Sequence, residues 1–343
     1  MRKLLNTLHV MTQGAYLHRE GETVSVKIGD ETRLRVPVHT LEGLVCWGRV
    51  SCSPPLFALC CENGVGISFL SESGRFLARV HGPVSGNVLL RRQQYRLADQ
   101  PAASLAVVSM IVTAKVANSR VVLLRAARES QDEQRVSQLR EAANRLSTIG
   151  LDASRAASID EARGHEGLAG QIYFSAFDDM IVGDREAFSF TARSRRPPLD
   201  AVNALLSFAY TLLRHDVESA LESVGLDPAV GFLHTDRPGR PSLALDLMEE
   251  LRSVIADRLV LTLINRRQLK ITDFIVQDSG AILLTEDARK TVISAWQQRK
   301  QEEMMHPFVN ERVAIGLIPY VQSLLLARFV RGGLDAYPAF IWR

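Results

Sequence analysis

The amino-acid sequence predicts an α+β protein: a small N-terminal antiparallel β domain over residues 1–84, then a larger all-α C-terminal domain over residues 85–343. Three observations predict it. A chain of 343 residues is about two domains long at roughly 150 residues each. Through the first quarter of the chain apolar and polar residues alternate, the period of a half-buried strand. Afterwards apolar residues recur every three or four positions, the period of a helix. Apolar residues make up 46% and charged residues 23%, enough for a packed core and too hydrophobic for a disordered chain.

Residues 23–28 alternate, the turn Gly29-Asp30 comes next, and residues 33–38 alternate again. Residues 56–61 and 65–70 flank Glu62-Asn63-Gly64, and residues 75–80 come after Ser71-Glu72-Ser73-Gly74. Asn-Gly and Ser-Gly turns at this spacing predict antiparallel hairpins. The Gly/Pro-rich stretch 81–86 ends the pattern. Leu89, Leu90, Gln93, Gln94 and Leu97 then mark one face of a helix that fades at Asp99-Gln100-Pro101. Further helices are predicted near residues 102–117, 130–146, 200–223 and 245–262. The second of these is amphipathic, with Val136, Leu139, Ala143 and Leu146 on one face. Pro197-Pro198 suits the first turn of the third.

Several classes are disfavoured. Asn6, Thr7 and His9 interrupt the apolar N-terminal stretch, so no secretory signal is expected. No apolar run reaches the roughly 18 residues of a membrane span. The nearest, residues 102–116, carries Ser104, Ser109, Thr113 and Lys115 and is expected as a buried helix. Cys46, Cys52, Cys60 and Cys61 lack C-x-x-C spacing and are expected as small buried thiols of a cytoplasmic protein. Net charge is only +3, so composition does not identify a polyanionic partner. Of 41 basic residues six are Lys and 35 are Arg, a bias that suits phosphate contacts and that a GC-rich genome also produces.

Three polar clusters stand out in the helical half. Glu166 opens an apolar helical run containing Tyr173, Phe174 and Phe177; on position alone it reads as a helix N-terminal acid facing water. His234 comes after two apolar residues and precedes the turn Thr235-Asp236-Arg237-Pro238-Gly239, an ordinary setting for a structural histidine. Ser242 is a candidate helix cap, and beyond it Asp246 and Glu249 are three apart, so both carboxylates share one helical face. Two like charges on an apolar helix need a cation or a proton; Arg252 and a divalent metal are both candidates. Together Glu166, His234 and an acid of this helix form a mixed oxygen and nitrogen ligand set that suits Mg²⁺ or Mn²⁺. Arg193, Arg195, Arg196, Arg237 and Arg240 lie around these clusters, either as solvated arginines or as phosphate contacts.

At these clusters the sequence resembles the universal CRISPR-associated integrase–endonuclease family, which inserts new spacers into CRISPR arrays. The matching segments are GHEGLAGQIYF, RRPPLDAVNALLSFAYTLL, GLDPAVGFLHTDRPGRPSLALDLMEELR and LVLTLINRRQL, with LLRRQQYRLAD followed by Lys115 and Asn118. The C-terminal stretch MMHPFVNERVAIGLIPYVQSLLLARFVRGGLDAYPAFIWR is similar to the subtype I-C branch. The resemblance implies a metal triad of Glu166, His234 and Glu249, the last a Glu where many relatives have Asp. Asp246 then takes a secondary acidic position. Geometry leaves Asp246 and Glu249 equally available, and the family register favours Glu249, with Glu250 beside it.

The resemblance further implies a metal-dependent DNA endonuclease and integrase using Mg²⁺ or Mn²⁺. A DNA 3′-hydroxyl would attack a phosphodiester of the array, with Arg193, Arg195, Arg196, Arg237 and Arg240 on the DNA backbone. Implied partners are double-stranded and branched DNA, a second copy through the N-terminal domain, and a small ferredoxin-like CRISPR-associated protein in a heterohexamer. No membrane is implied. The opposing expectation is a DNA-binding scaffold of the same complex without catalysis.

Overall fold

The computed structural model describes residues 6–72, 76–80, 82 and 88–342. Most of the turn expected at 81–86, and Ser73-Gly74 of the one before it, lie outside the described residues. The chain divides into two compact units, Met1–Gly86 and Asn87–Arg343.

The first unit holds β1 (Thr7–Val10), β2 (Tyr16–Glu20), β3 (Thr23–Ile28), β4 (Glu31–Pro37), β5 (Gly43–Trp47), β6 (Ser51–Cys52), α1 (Pro54–Glu62), β7 (Gly66–Leu70) and β8 (Phe76–Val80). They form two four-stranded sheets, ordered β1-β5-β7-β8 and β4-β3-β2-β6. The expected pairs β3 with β4 and β7 with β8 are antiparallel, and β2, not anticipated from the sequence, also pairs antiparallel with β3. The sheets are nonetheless mixed: β1 with β5, β5 with β7, and β2 with β6 are parallel. Parallel neighbours need a crossover, and α1 supplies the one between β5 and β7.

That helix corrects the strand expected at 56–61. Ser53 Oγ accepts from the Leu56 N–H at 3.4 Å, and Pro54 and Pro55 occupy the first turn, where their missing N–H groups cost nothing. Leu56, Leu59 and Cys60 then fall on one helical face and are fully buried. They share a core with Leu17, Val24, Leu44 and Ile67.

The second unit begins with α2 (Val88–Ala98), α3 (Pro101–Glu129), α4 (Glu133–Ala153) and α5 (Ile159–Ser175). It continues through α6 (Ala201–Val224), α7 (Ser242–Glu249), a π-helical turn at Arg252–Asp257, and α8 (Arg258–Asn265). After these come β9 (Phe274–Val276), β10 (Ile282–Leu284), α9 (Glu286–Gln301), β11 (Glu303–Met305), β12 (Arg312–Ala314) and α10 (Ile318–Val330). The unit is therefore largely helical rather than all-α. Two short antiparallel ribbons are added, β9 with β10 and β11 with β12. The first closes through Gly280, whose φ of 77° is open to glycine.

Helix α3 is buried as expected but runs on to Glu129 rather than ending near residue 117, and two further helix boundaries differ from expectation. By length and apolar composition α3 could cross a membrane; its Val107, Val108, Ile111 and Val112 are buried, and it packs on α4 and α5 as a core helix. Helix α6 starts at Ala201 under an Asp200 cap, whose Oδ1 accepts from the Asn203 N–H at 2.6 Å, so the prolines at 197–198 precede it. The expected 245–262 helix is broken after Glu249 by the wide π turn, a distortion frequent at functional sites.

Candidate active site

Five elements of the helical unit converge on one cavity: α3, α5, α6, α7 and the π turn after it. The cavity measures about 510 Å³, and its lining includes Lys115, Glu166, Tyr210, Glu249, Arg252 and Asp257.

Helix α5 delivers Glu166. Ser158 caps it, its Oγ accepting from the Glu161 N–H at 3.1 Å while the Glu161 carboxylate accepts from the Ala157 N–H at 2.8 Å. The cap sets the helix start at Ile159, so Glu166 lies two turns inside the helix. The expectation of a helix N-terminal acid held by the macrodipole is therefore corrected. The Glu166 side chain is 24% exposed, and its Oε1 ion-pairs with Lys115 Nζ.

Lys115 is the residue that sequence reasoning underrated. It comes from the middle of α3, and besides Glu166 its Nζ lies 2.7 Å from Glu249 Oε2. Glu249 is 2% exposed, and its Oε1 sits 3.1 Å from Arg252 Nη1. Burial pushes the Glu249 carboxyl upward, but Arg252 and Lys115 outweigh it and hold the group at about 2. Two carboxylates from separate helices thus share one ammonium. A lysine at the end of the apolar stretch 102–116 was the available signal, since lysine is almost never buried without a partner.

Asp246 does something else. It is fully buried, and its Oδ2 accepts from the N–H groups of Phe232 at 2.6 Å and Leu233 at 2.9 Å. Its Oδ1 meets the His234 N–H at 3.0 Å and His234 Nδ1 at 2.6 Å. A carboxylate only accepts, so Nδ1 carries the hydrogen, and in the neutral ring Nε2 is the nitrogen with the lone pair. Gly231 makes this close approach feasible: a Cβ there would lie 2.8 Å from Asp246 Oδ2. Asp246 and Glu249 leave the same helix toward different partners. Ser242 is not a cap; its Oγ donates to the Thr235 carbonyl at 3.2 Å.

Glu250 is also fully buried, away from the cations. It accepts from Tyr337 Oη at 2.5 Å, Gln322 Nε2 at 3.2 Å and the Phe340 N–H at 2.6 Å. Burial prevails over these bonds and raises its carboxyl to about 7. Asp257 is raised to about 6 by burial, against the hydrogen bond of 2.7 Å from Tyr210 Oη.

The five arginines separate. The Arg193 guanidinium is occupied within the chain, donating to Asn203 Oδ1 at 2.6 Å and Ser207 Oγ at 3.1 Å and lying over the Tyr210 ring. Arg195 lines the cavity; Arg195, Arg196 and Arg237 are exposed, and Arg240 is half-buried.

Among the described residues no three His, Cys, Asp or Glu side chains lie close enough to form a ready metal shell. Glu166 and Glu249 meet on the ammonium instead. The donor chemistry still suits a hard divalent ion: two carboxylates already gathered on a cation, a buried Glu249 Oε2 with no well-directed hydrogen bond, and an imidazole held at Nδ1.

Comparison with known proteins agrees with the fold. The profile of the family described as CRISPR associated protein Cas1 matches residues 8–298. The chain is 53% identical over 343 residues to the CRISPR-associated endonuclease Cas1 1 of Chlorobaculum tepidum, covering all of both chains. A casposase bound to integration product superposes with a TM-score of 0.83 at 20% identity, over 98% of this chain and 94% of that one. A Cas6-RT-Cas1–Cas2 complex gives a TM-score of 0.82 at 23% identity, over 99% of this chain and 36% of the other.

Proposed function

The chain belongs to the Cas1 family of CRISPR-associated proteins, and from that premise we propose that it is a metal-dependent DNA endonuclease and integrase that inserts spacer DNA into a CRISPR array. The observation that carries this reading is the convergence of Glu166 and Glu249 on one cation, with the Asp246-oriented His234 near enough to act electrostatically on Glu249.

Glu166, Glu249 and His234 Nε2 are the residues that would hold Mg²⁺ or Mn²⁺. The ion, when bound, would polarise the phosphoryl oxygen and lower the cost of charge on the entering and leaving oxygens. Asp246 fixes the His234 ring, and Arg252 keeps Glu249 ionised. In the reaction a DNA 3′-hydroxyl oxygen bonds to phosphorus. The bond from phosphorus to the target-strand O3′ breaks, and the proton of the entering hydroxyl is balanced by the one the leaving oxygen gains. Hydrolysis is the same displacement with water entering. Arg195, Arg196, Arg237 and Arg240 serve the DNA backbone, where contacts position the duplex without reading its sequence. Arg193 shapes the cavity wall.

The substrates are double-stranded and branched DNA. Assembly takes a second copy through the N-terminal unit and a small ferredoxin-like CRISPR-associated partner; the Cas6-RT-Cas1–Cas2 complex among the structural neighbours supports a protein partner. The test is strand transfer into an array plasmid with the partner present, in EDTA and then in Mn²⁺ or Mg²⁺. Metal-dependent joining is expected. DNA binding without product under every metal condition would instead identify a non-catalytic scaffold.

A further inference from the structure

Residues 337–342 close the helical unit by buried, directional hydrogen bonds rather than by apolar packing alone. Asn118 Nδ2 donates to the Phe340 carbonyl at 2.8 Å, and Asn118 Oδ1 accepts from the Trp342 N–H at 2.8 Å. The same Nδ2 donates to the Glu250 carbonyl at 2.6 Å. From the other side the Glu250 carboxyl takes Tyr337 Oη and the Phe340 N–H. Gln322 Nε2 reaches Tyr337 Oη at 2.8 Å, and its Oε1 faces His306 Nε2 at 3.0 Å. Asn118, Glu250, Gln322, Tyr337 and Phe340 are all buried.

The two gripping residues stand next to the site. Asn118 is three positions after Lys115, hence on the same side of α3. Glu250 is the residue directly after Glu249. The terminal segment therefore ties α3 to the end of α7 where Lys115 meets Glu249. Buried polar networks of this kind fix one geometry, because any shift leaves a donor or acceptor unpaired.

We infer that residues 337–342, held by Asn118 and Glu250, are a positioning strut that sets the separation of Lys115 and Glu249 and so poises the candidate site. The inference rests on the proposed integrase function for its consequence, and on the hydrogen bonds alone for its geometry. Asn118, Glu250, Tyr337 and Phe340 are not among the residues lining the cavity, so their assigned role is positioning.

The experiment compares the intact protein with Tyr337→Phe, Glu250→Ala, Glu250→Gln and a chain ending at residue 336. Melting temperature, Mn²⁺ affinity by calorimetry, and kcat and KM for branched DNA are measured on each. Lys115 acetylation by acetic anhydride is followed by mass spectrometry, with the half-exposed Lys290 as internal standard. Glu250→Ala and the shortened chain are expected to lose about tenfold or more in kcat and in Mn²⁺ affinity at nearly constant KM. Their Lys115 becomes labelled. Tyr337→Phe, which removes a single hydroxyl, shows a smaller change in the same direction. Glu250→Gln, which keeps an acceptor for the Phe340 N–H, recovers most of the loss, and a synthetic peptide of residues 334–343 restores the shortened chain. Variants that melt earlier but keep wild-type Lys115 protection, kcat and Mn²⁺ affinity overturn the strut. If the intact protein binds no Mn²⁺ and transfers no strands, the integrase function fails, and Lys115 labelling alone decides the strut.

Discussion

Glu249 and Glu250 are neighbours with the same side chain and opposite surroundings. Glu249 faces Lys115 and Arg252 and stays ionised down to about pH 2. Glu250 faces a tyrosine, an amide and a backbone N–H and holds its proton up to about pH 7. Burial opposes charge at both. What separates them is whether a cation comes with the buried carboxylate, and the difference teaches how one helix end can serve a reaction on one side and hold the fold on the other.

The sharpest way to break this contrast is to neutralise each residue in turn. Glu249→Gln takes the carboxylate from the largely buried Arg252, leaves Lys115 with Glu166 alone, and removes a proposed metal donor. Strand transfer is expected to fall by about 10³-fold, and urea unfolding to show a loss of about 3–5 kcal/mol. Glu250→Gln is expected to keep both. A Glu249→Gln protein as stable and active as the parent would erase the distinction.

Asp246→Asn tests the residue between these extremes, which holds a ring rather than a cation. An amide nitrogen facing the His234 N–H groups cannot replace the accepting oxygen. Activity is expected to fall about 10–100-fold, with His234 losing its fixed Nδ1–H tautomer in ¹⁵N NMR.

The pH dependence carries opposite signs at the two glutamates. Glu249 lies below its ordinary 4.5, so its contribution to stability is present above pH 4.5 and lost as pH falls toward 2. Glu250 lies above 4.5, so the fold holds its proton more tightly than the unfolded chain does, and stability declines as pH rises from 4.5 to 7. That decline is worth about 3 kcal/mol at 1.36 kcal/mol per unit. Unfolding free energies at pH 5 and 7.5 should show it in the parent and a flatter profile in Glu250→Gln.

The smallest expected effect lies at the rim. Arg237→Ala should weaken binding a few-fold to every DNA sequence alike and lower the salt slope by about one. A sequence-selective loss would argue for base contact instead.

Much of this was legible in the chain because the motifs around Glu166, His234 and Glu249 are local and long. Alternation in residues 23–38 revealed strands, yet period two is the same for parallel and antiparallel pairing, so the mixed sheets were hidden. The helix at Pro54–Glu62 was readable from Ser53-Pro54-Pro55, a capping signal overridden by an apolar run too short to separate the two periods. The separate tasks of Asp246, Glu249 and Glu250 were not readable from spacing. Their partners are a loop, a lysine in α3 and a tail some ninety positions away.

If Glu166 and Glu249 hold a divalent ion for phosphodiester chemistry, both the ion and the carboxylates are indispensable to joining. The most direct measurement is strand transfer into array DNA by the intact protein and by Glu166→Gln, each in EDTA and in Mn²⁺, with melting temperatures recorded alongside. Joining is expected only by the intact protein and only with metal. Equal joining in EDTA, or by a well-folded Glu166→Gln protein, would contradict that role.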